Sequence, residues 1–229
     1  MNFKNVFRWH LPFLLLLGLF SLRAAATDTL LILGDSLSAG YRLPIAEAWP
    51  SRLDKTWQAT PTLPKVVNAS ISGDTAAQGL ARLPALLKQH QPRWVLIELG
   101  ANDGLRGFPT QDIQRDLTQI INLVKEAKAQ PLLMQIRIPP NYGRRYTDAF
   151  TALYPQLAEQ FSIPLVPFFM EHVAVKPEWM QDDGLHPNAE AQPFIAEWMA
   201  QQLKPLVINI PNRFQVAGSR QQNEPKELR

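Results

Sequence analysis

The stretch Leu30-Leu31-Ile32-Leu33-Gly34-Asp35-Ser36-Leu37-Ser38 runs four unbroken apolar residues into a small polar turn. A short run with no polar face is the mark of a strand buried on both sides, as in a parallel sheet covered by helices. Gly34 to Ser38 then carries the chain out of that strand, and a serine at such an exit stands on rigid backbone with its hydroxyl free. Similar apolar runs recur at Val66 to Ala69, Trp94 to Leu99, Leu132 to Ile136 and Leu165 to Phe168. Between them lie stretches of helical period near Ala46 to Gln58, Thr75 to His90, Thr110 to Ala129, Thr147 to Phe161 and Gln192 to Leu203. In the third of these, Ile113, Leu117, Ile120, Ile121 and Val124 form one apolar stripe. Pro84 is expected to break the second, because a proline inside a helix loses a hydrogen bond and clashes with the preceding turn. The alternation predicts one α/β domain with a five-stranded parallel sheet between helices.

The two ends of the chain read differently from this body. Lys4 and Arg8 precede an apolar stretch from Leu11 to Leu22, and Ala24-Ala25-Ala26 follows. A basic start, a short apolar middle and an A-x-A site describe a secretory signal, and the apolar part falls short of the roughly 20 residues that span a bilayer. Cleavage is expected after Ala26, giving residues 1–26 as signal peptide and leaving no stable membrane anchor. Of the 23 basic residues, Lys4, Arg8 and Arg23 lie in that segment together with none of the 20 acidic ones, so the remaining chain balances at 20 against 20. The basic character therefore belongs to targeting and does not point to nucleic acid. With no cysteine, a disulfide framework and a lipidated N-terminal cysteine are both excluded. From Pro211 onward the chain is polar, with little to bury. Residues 27–210 are thus expected to form the domain and 211–229 a disordered tail.

In an open parallel sheet, ligands bind beyond the carboxyl ends of the strands. Three loops follow strands here: Gly34-Asp35-Ser36, Ser70-Ile71-Ser72-Gly73-Asp74 and Gly100-Ala101-Asn102-Asp103-Gly104. They offer a hydroxyl, glycines whose N–H groups can approach a ligand, and an amide side chain able to donate. A serine needs a base to act as nucleophile. The late segment Gln181-Asp182-Asp183-Gly184-Leu185-His186 supplies a histidine to take the Ser36 proton and an acid to fix the imidazole tautomer. Spacing alone does not choose between Asp182 and Asp183. Each residue also has a plainer role: Ser36 could cap the following helix, Gly73 and Gly100 could serve turns, and Asn102 could bond its own backbone. Asp35 is expected to be a structural hydrogen-bonding residue. His90 and His172 have no neighbouring constellation, and Trp49, Trp57, Trp94, Trp179 and Trp198 are expected in the core.

The chain resembles the GDSL or SGNH hydrolase family, whose four blocks carry Ser, Gly, Asn and His in that order. Here they fall on Ser36 in Gly34-Asp35-Ser36-Leu37, Gly73 in Ser72-Gly73-Asp74-Thr75, Asn102 in Gly100-Ala101-Asn102-Asp103, and His186 in Asp183-Gly184-Leu185-His186. The match runs from Leu30 to about Leu203 and is strongest to the family's bacterial periplasmic members that act as thioesterase, lysophospholipase and arylesterase. The resemblance implies a three-layer α/β/α sandwich of flavodoxin-like order. It implies a catalytic triad of Ser36, Asp183 and His186, with the family's D-x-x-H pattern selecting Asp183. An oxyanion hole would be formed by the Ser36 and Gly73 N–H groups and the Asn102 amide. No cofactor and no metal are implied. The expected partner is a small-molecule acyl ester or thioester, lysophospholipid among them, met in the periplasm by a monomer. Two other readings of the same residues are a carbohydrate acetyl esterase and a flavodoxin-like module holding an FMN phosphate at Ser36 and Ser38.

Overall fold

A computed structural model describes residues 28–208. The signal segment expected at 1–26 and the tail expected at 211–229 lie outside the described residues. Five parallel strands run β1 (Thr29–Gly34), β2 (Lys65–Asn68), β3 (Trp94–Glu98), β4 (Gln130–Met134) and β5 (Leu165–Val166), ordered β2-β1-β3-β4-β5 across the sheet. That is the doubly wound order in which the crevice between β1 and β3 becomes the ligand-binding switch point. Leu30 to Leu33 and every residue of β3 are buried. Both strands therefore carry apolar side chains toward both faces.

The helices are α1 (Ser36–Ala39), α2 (Trp49–Trp57), α3 (Ala76–His90), α4 (Ala101–Leu105), α5 (Thr110–Glu126), α6 (Arg144–Phe161), α7 (Met170–Val173) and α8 (Gln192–Ile208). Helices α3, α5 and α6 pack in a row on one face, and α2 pairs with α8 on the other. Along α5 the expected stripe is buried, joined by Asp116. Thr75 begins α3 with a capping box, its side chain accepting from Gln78 N–H while Gln78 bonds the Thr75 N–H.

Pro84 does not break α3. The helix continues to His90, and Pro155 and Pro205 likewise sit inside α6 and α8. All three prolines face solvent, where water can satisfy the carbonyl that loses its partner, while Leu83 on the inner side keeps α3 seated on the sheet. Other boundaries moved by a few residues: β4 begins at Gln130 rather than Leu132, and α8 extends to Ile208. The region from Ala46 opens as a separate 3₁₀ turn, Ile45–Glu47, before α2 starts with Pro50 in its first turn. Trp49, Trp57 and Trp94 are buried as expected, whereas Trp179 and Trp198 only half-bury against the core.

Gly34 ends β1 opposite Glu98, which ends β3. A Cβ at Gly34 would lie 2.5 Å from Glu98 Oε2 and 2.8 Å from Ser70 Oγ. Glu98 cannot swing aside, because it is fully buried and its Oε2 accepts from Ser38 Oγ at 2.7 Å. Gly34→Ala should therefore destabilise the fold by about 1–3 kcal/mol, the usual range for overpacking a close-packed site. Urea unfolding of the two proteins checks this, and equal midpoints would contradict it.

Candidate active site

Ser36 is the first residue of α1, two residues beyond the end of β1. Asp35 caps that turn, its Oδ1 accepting the Leu37 N–H at 3.0 Å. The Ser36 Oγ lies 2.8 Å from Nε2 of His186, 150 residues away in sequence. His186 Nδ1 lies 2.7 Å from Asp183 Oδ2, while Asp183 Oδ1 accepts the N–H groups of Leu185 and His186 at 2.9 and 3.0 Å. Asp183 is thus the acid against the ring, and Asp182 stands exposed. With the Asp183 carboxylate accepting from Nδ1–H, Nε2 is left as an acceptor toward the Ser36 hydroxyl.

The loop bearing this pair is held from several sides. Gln181 N–H donates to His186 O at 2.8 Å, and Asn188 N–H donates to Trp179 O at 2.8 Å. The Gln181 side chain donates to Tyr41 O at 2.9 Å, and the Tyr41 ring packs 4.3 Å from the His186 ring. Partial burial works to raise the Asp183 pKa. The two N–H donors and the His186 ring outweigh it and hold the carboxyl at about 2.

The oxyanion candidates lie in the loops after β2 and β3. Among the described residues, the N–H groups of Ser36 and Gly73 meet no protein acceptor. Gly73 has φ 86°, and a Cβ there would meet open space, so the residue is glycine for its backbone angle. Asn102, at the start of α4, borders the same cleft as Ser36 and His186. Its Nδ2 donates to Asp74 O at 3.0 Å and Asp35 Oδ2 at 3.2 Å. Gly100, by contrast, has a framework role: its φ is 110°, and a Cβ would come within 2.2 Å of the Tyr154 hydroxyl, which donates to Leu99 O.

Several residues that shape this edge were missed at the level of sequence. Arg82 of α3 bonds Asp74 Oδ2 at 2.7 Å, reaches Gly34 O at 3.3 Å, and also donates to Ala69 O. Asp103 accepts the Ala76 N–H at 2.9 Å, tying α4 to the start of α3. Glu98, an acid closing an otherwise apolar strand, was the one such residue with a legible signal. His172 packs against Trp198 and Phe194 at ring distances of 5.4 and 6.4 Å, away from the Ser36 cleft, and His90 ends α3.

The cleft beside Ser36 has a volume of about 480 Å³ and is lined mainly by apolar side chains, among them Leu37, Leu105, Ile138, Pro139, Phe168 and Met170. Ile138 and Pro139 belong to the loop after β4, which the Tyr142 hydroxyl clips to Leu105 O at 2.9 Å. Arg137 pairs with Glu171 along the cleft. A hydroxyl facing an imidazole–carboxylate couple at the end of an apolar trough can receive an acyl group whose chain lies along the trough.

Residues 32–192 match the model of the GDSL-like lipase/acylhydrolase family. Thioesterase 1/protease 1/lysophospholipase L1 of Escherichia coli (strain K12) is 69% identical over 207 residues, covering 90% of this chain and 98% of that protein. An arylesterase of Vibrio mimicus is 58% identical over 186 residues, covering 80% of this chain and 93% of its own length. Among solved structures, the psychrotrophic esterase EstA from Pseudoalteromonas sp., inhibited by monoethylphosphonate, superposes with a TM-score of 0.77 at 47% identity. That match covers 80% of this chain and all of EstA.

Burial raises the Asp35 carboxyl to about 7, with the Leu37 N–H and a hydrogen bond from Glu98 opposing it. A carboxyl whose folded pKa exceeds its unfolded one stabilises the protein below the ordinary carboxylate range, and that contribution is lost as pH rises through the folded value. Asp35→Asn removes the titration. The unfolding free energy of the variant should therefore fall less steeply between about pH 4 and pH 7 than that of the wild type, as read by urea unfolding across the range. Identical slopes would show that Asp35 does not titrate there.

Proposed function

Because this chain belongs to the GDSL-like lipase/acylhydrolase family and is an ester-bond hydrolase, we propose that Ser36 is its nucleophile, His186 its general base and Asp183 the acid that orients the imidazole. The observation that carries this reading is the continuous relay of 2.8 and 2.7 Å from Ser36 Oγ through His186 to Asp183 at the end of an apolar cleft. His186 Nε2 takes the hydroxyl proton as Ser36 Oγ bonds to the carbonyl carbon. The carbonyl electron pair moves onto oxygen, where the N–H groups of Ser36 and Gly73 and the Asn102 amide receive it. Collapse expels the alcohol or thiol, which takes the proton from His186 and leaves an acyl-Ser36. Water, deprotonated by the same imidazole, then releases the carboxylic acid. At rest both Asn102 amide hydrogens are engaged, so one must be shared with the oxyanion as it forms.

The substrates are esters and thioesters of acyl chains, with lysophospholipid the natural encounter for a protein exported by residues 1–26 to the periplasm. In that reading 27–210 is the hydrolase domain, 211–229 an appended tail, and the enzyme works as a monomer. The apolar lining favours an acyl chain over an acetylated sugar. The engagement of the Ser36 hydroxyl by His186 favours proton relay over phosphate binding.

Ser36→Ala should lose on the order of 10³-fold or more in turnover of an aryl or acyl ester while unfolding at an unchanged midpoint. In the wild type, a fluorophosphonate should modify Ser36 and abolish activity. A label on another residue, or activity surviving in the variant, would remove Ser36 from the role. Ile138→Ala should shift the acyl-chain-length preference measured across an ester series, because Ile138 lines the cleft. An unaltered preference would place the chain elsewhere.

A further inference from the structure

Directly behind Ser36 lie two carboxyls that the relay does not use. Asp35 and Glu98 are both fully buried, and the Asp35 N–H donates to Glu98 Oε2 at 3.3 Å, which brings the two residues together. No cation among the described residues pairs with either, since the nearby Arg82 spends its guanidinium on Asp74, Ala69 O and Gly34 O. Two carboxylates in one dry site cannot both be ionised, and sharing a single proton turns repulsion into a charge-assisted bond. The hydrogen bonds around the pair indicate where that proton sits. Both Asp35 oxygens already accept, Oδ1 from Leu37 N–H at 3.0 Å and Oδ2 from Asn102 Nδ2 at 3.2 Å. On Glu98, Oε2 accepts from Ser38 Oγ at 2.7 Å and from Asp35 N–H at 3.3 Å, while Oε1 is buried and meets no donor.

We propose that Glu98 holds the shared proton on Oε1 and donates it to the Asp35 carboxylate, so that the pair positions the Asn102 amide for the oxyanion. The inference rests on the reading of Asn102 as an oxyanion donor. An unshielded Asp35 carboxylate would hold the Asn102 hydrogen tightly and compete with the oxyanion for it. A hydrogen bond from Glu98 draws charge off Asp35, which still aligns the amide but lets it be shared as negative charge develops on the substrate oxygen. Glu98 and Asp35 are therefore positioning residues, acting through Asn102.

The electrostatics agree with this placement. Burial raises both carboxyls, and the charge on Asp35 raises Glu98 further, so Glu98 is held well above the carboxylate range while Asp35 reaches about 7. The other groups acting on Asp35 are Asp103 of α4 and Asp74 of the β2–α3 loop, both of which raise it. Tyr154 of α6 stays neutral, pushed up chiefly by burial.

Infrared spectroscopy and kinetics at about pH 8 test the proposal together. The wild type should show a buried protonated-carboxyl C=O band that is absent from Glu98→Gln and still present in Asp35→Asn. Glu98→Gln keeps a donor toward Asp35 and an acceptor for Ser38, so kcat should stay within about threefold of wild type. Glu98→Leu keeps neither, and kcat should drop about tenfold or more at unchanged KM, the pattern of a lost transition-state interaction. A wild type without the band, a band lost in Asp35→Asn but kept in Glu98→Gln, or a Glu98→Gln enzyme as slow as Glu98→Leu would overturn it. If Glu98→Leu does not fold, the band comparison decides alone. The band needs no turnover, so it also separates failure of this proposal from failure of the Ser36 relay, which fluorophosphonate labelling reads independently.

Discussion

The Arg82 guanidinium is the tie on which the geometry of the candidate active-site edge depends. From α3 it reaches Gly34 O at the end of β1, Ala69 O just past β2, and the Asp74 carboxylate in the loop that carries Gly73. Asp74 O in turn accepts from the Asn102 amide. One side chain thus couples the exits of the first two strands to the loop after the third. Its side chain is 20% exposed and that of Asp74 only 9%, so solvent screens the pair far less than an ordinary surface bridge. Removing either partner would leave a buried charge uncompensated, which is the costly way to break such a pair.

Around this tie the protein places a polar network at the rim of an apolar sheet. Ser38, Asn68, Ser70, Glu98, Asp35, Asn102 and Asp103 are buried or half-buried at the carboxyl edge, and Asn68, Glu98, Asn102 and Asp103 bond backbone groups there. The network needs strand ends that do not move. Close packing below it supplies them: β1 and β3 are buried on both faces, and the space at Gly34 is filled by Glu98 and Ser70. A packed interior transmits such constraints because it has little room to relax. The relay loop from Gln181 to Asn188, by contrast, stands on the rim and is held by its own backbone bonds and by Tyr41. The rigid core sets where Ser36 is, and the rim loop sets the angle at which His186 meets it.

Much of this was legible in the sequence. The apolar runs located all five strands, most plainly β1 and β3, where burial on both faces leaves almost no polar positions to confuse the reading. The stripe on α5 was equally plain, since an amphipathic helix repeats its pattern over several turns. What misled was local: a proline inside a helical stretch reads as a stop, yet Pro84 lies on the solvent side of a helix that the sheet holds in place. The short helices α1, α4 and α7 carry too few residues to show a period. In the candidate site, Ser36, Gly73, Asn102, Asp183 and His186 could be picked out because they fall in the four blocks of the family that the chain resembles, whose D-x-x-H pattern prefers Asp183 to Asp182. Arg82 and Glu98 could not be given work, because an arginine in a helix and an acid at a strand end have many possible neighbours.

The sequence by itself determined the alternation of buried strands and covering helices, the polar loops at the strand ends, and which residue types those loops present. Those are properties of composition and period within short windows of chain. Only the tertiary structure decided that His186 reaches Ser36 across 150 residues, and that Asp35 and Glu98 share one dry site. Each of those facts is a distance between segments remote in the chain. Such distances follow from how the sheet twists and its faces pack, and no local pattern encodes them.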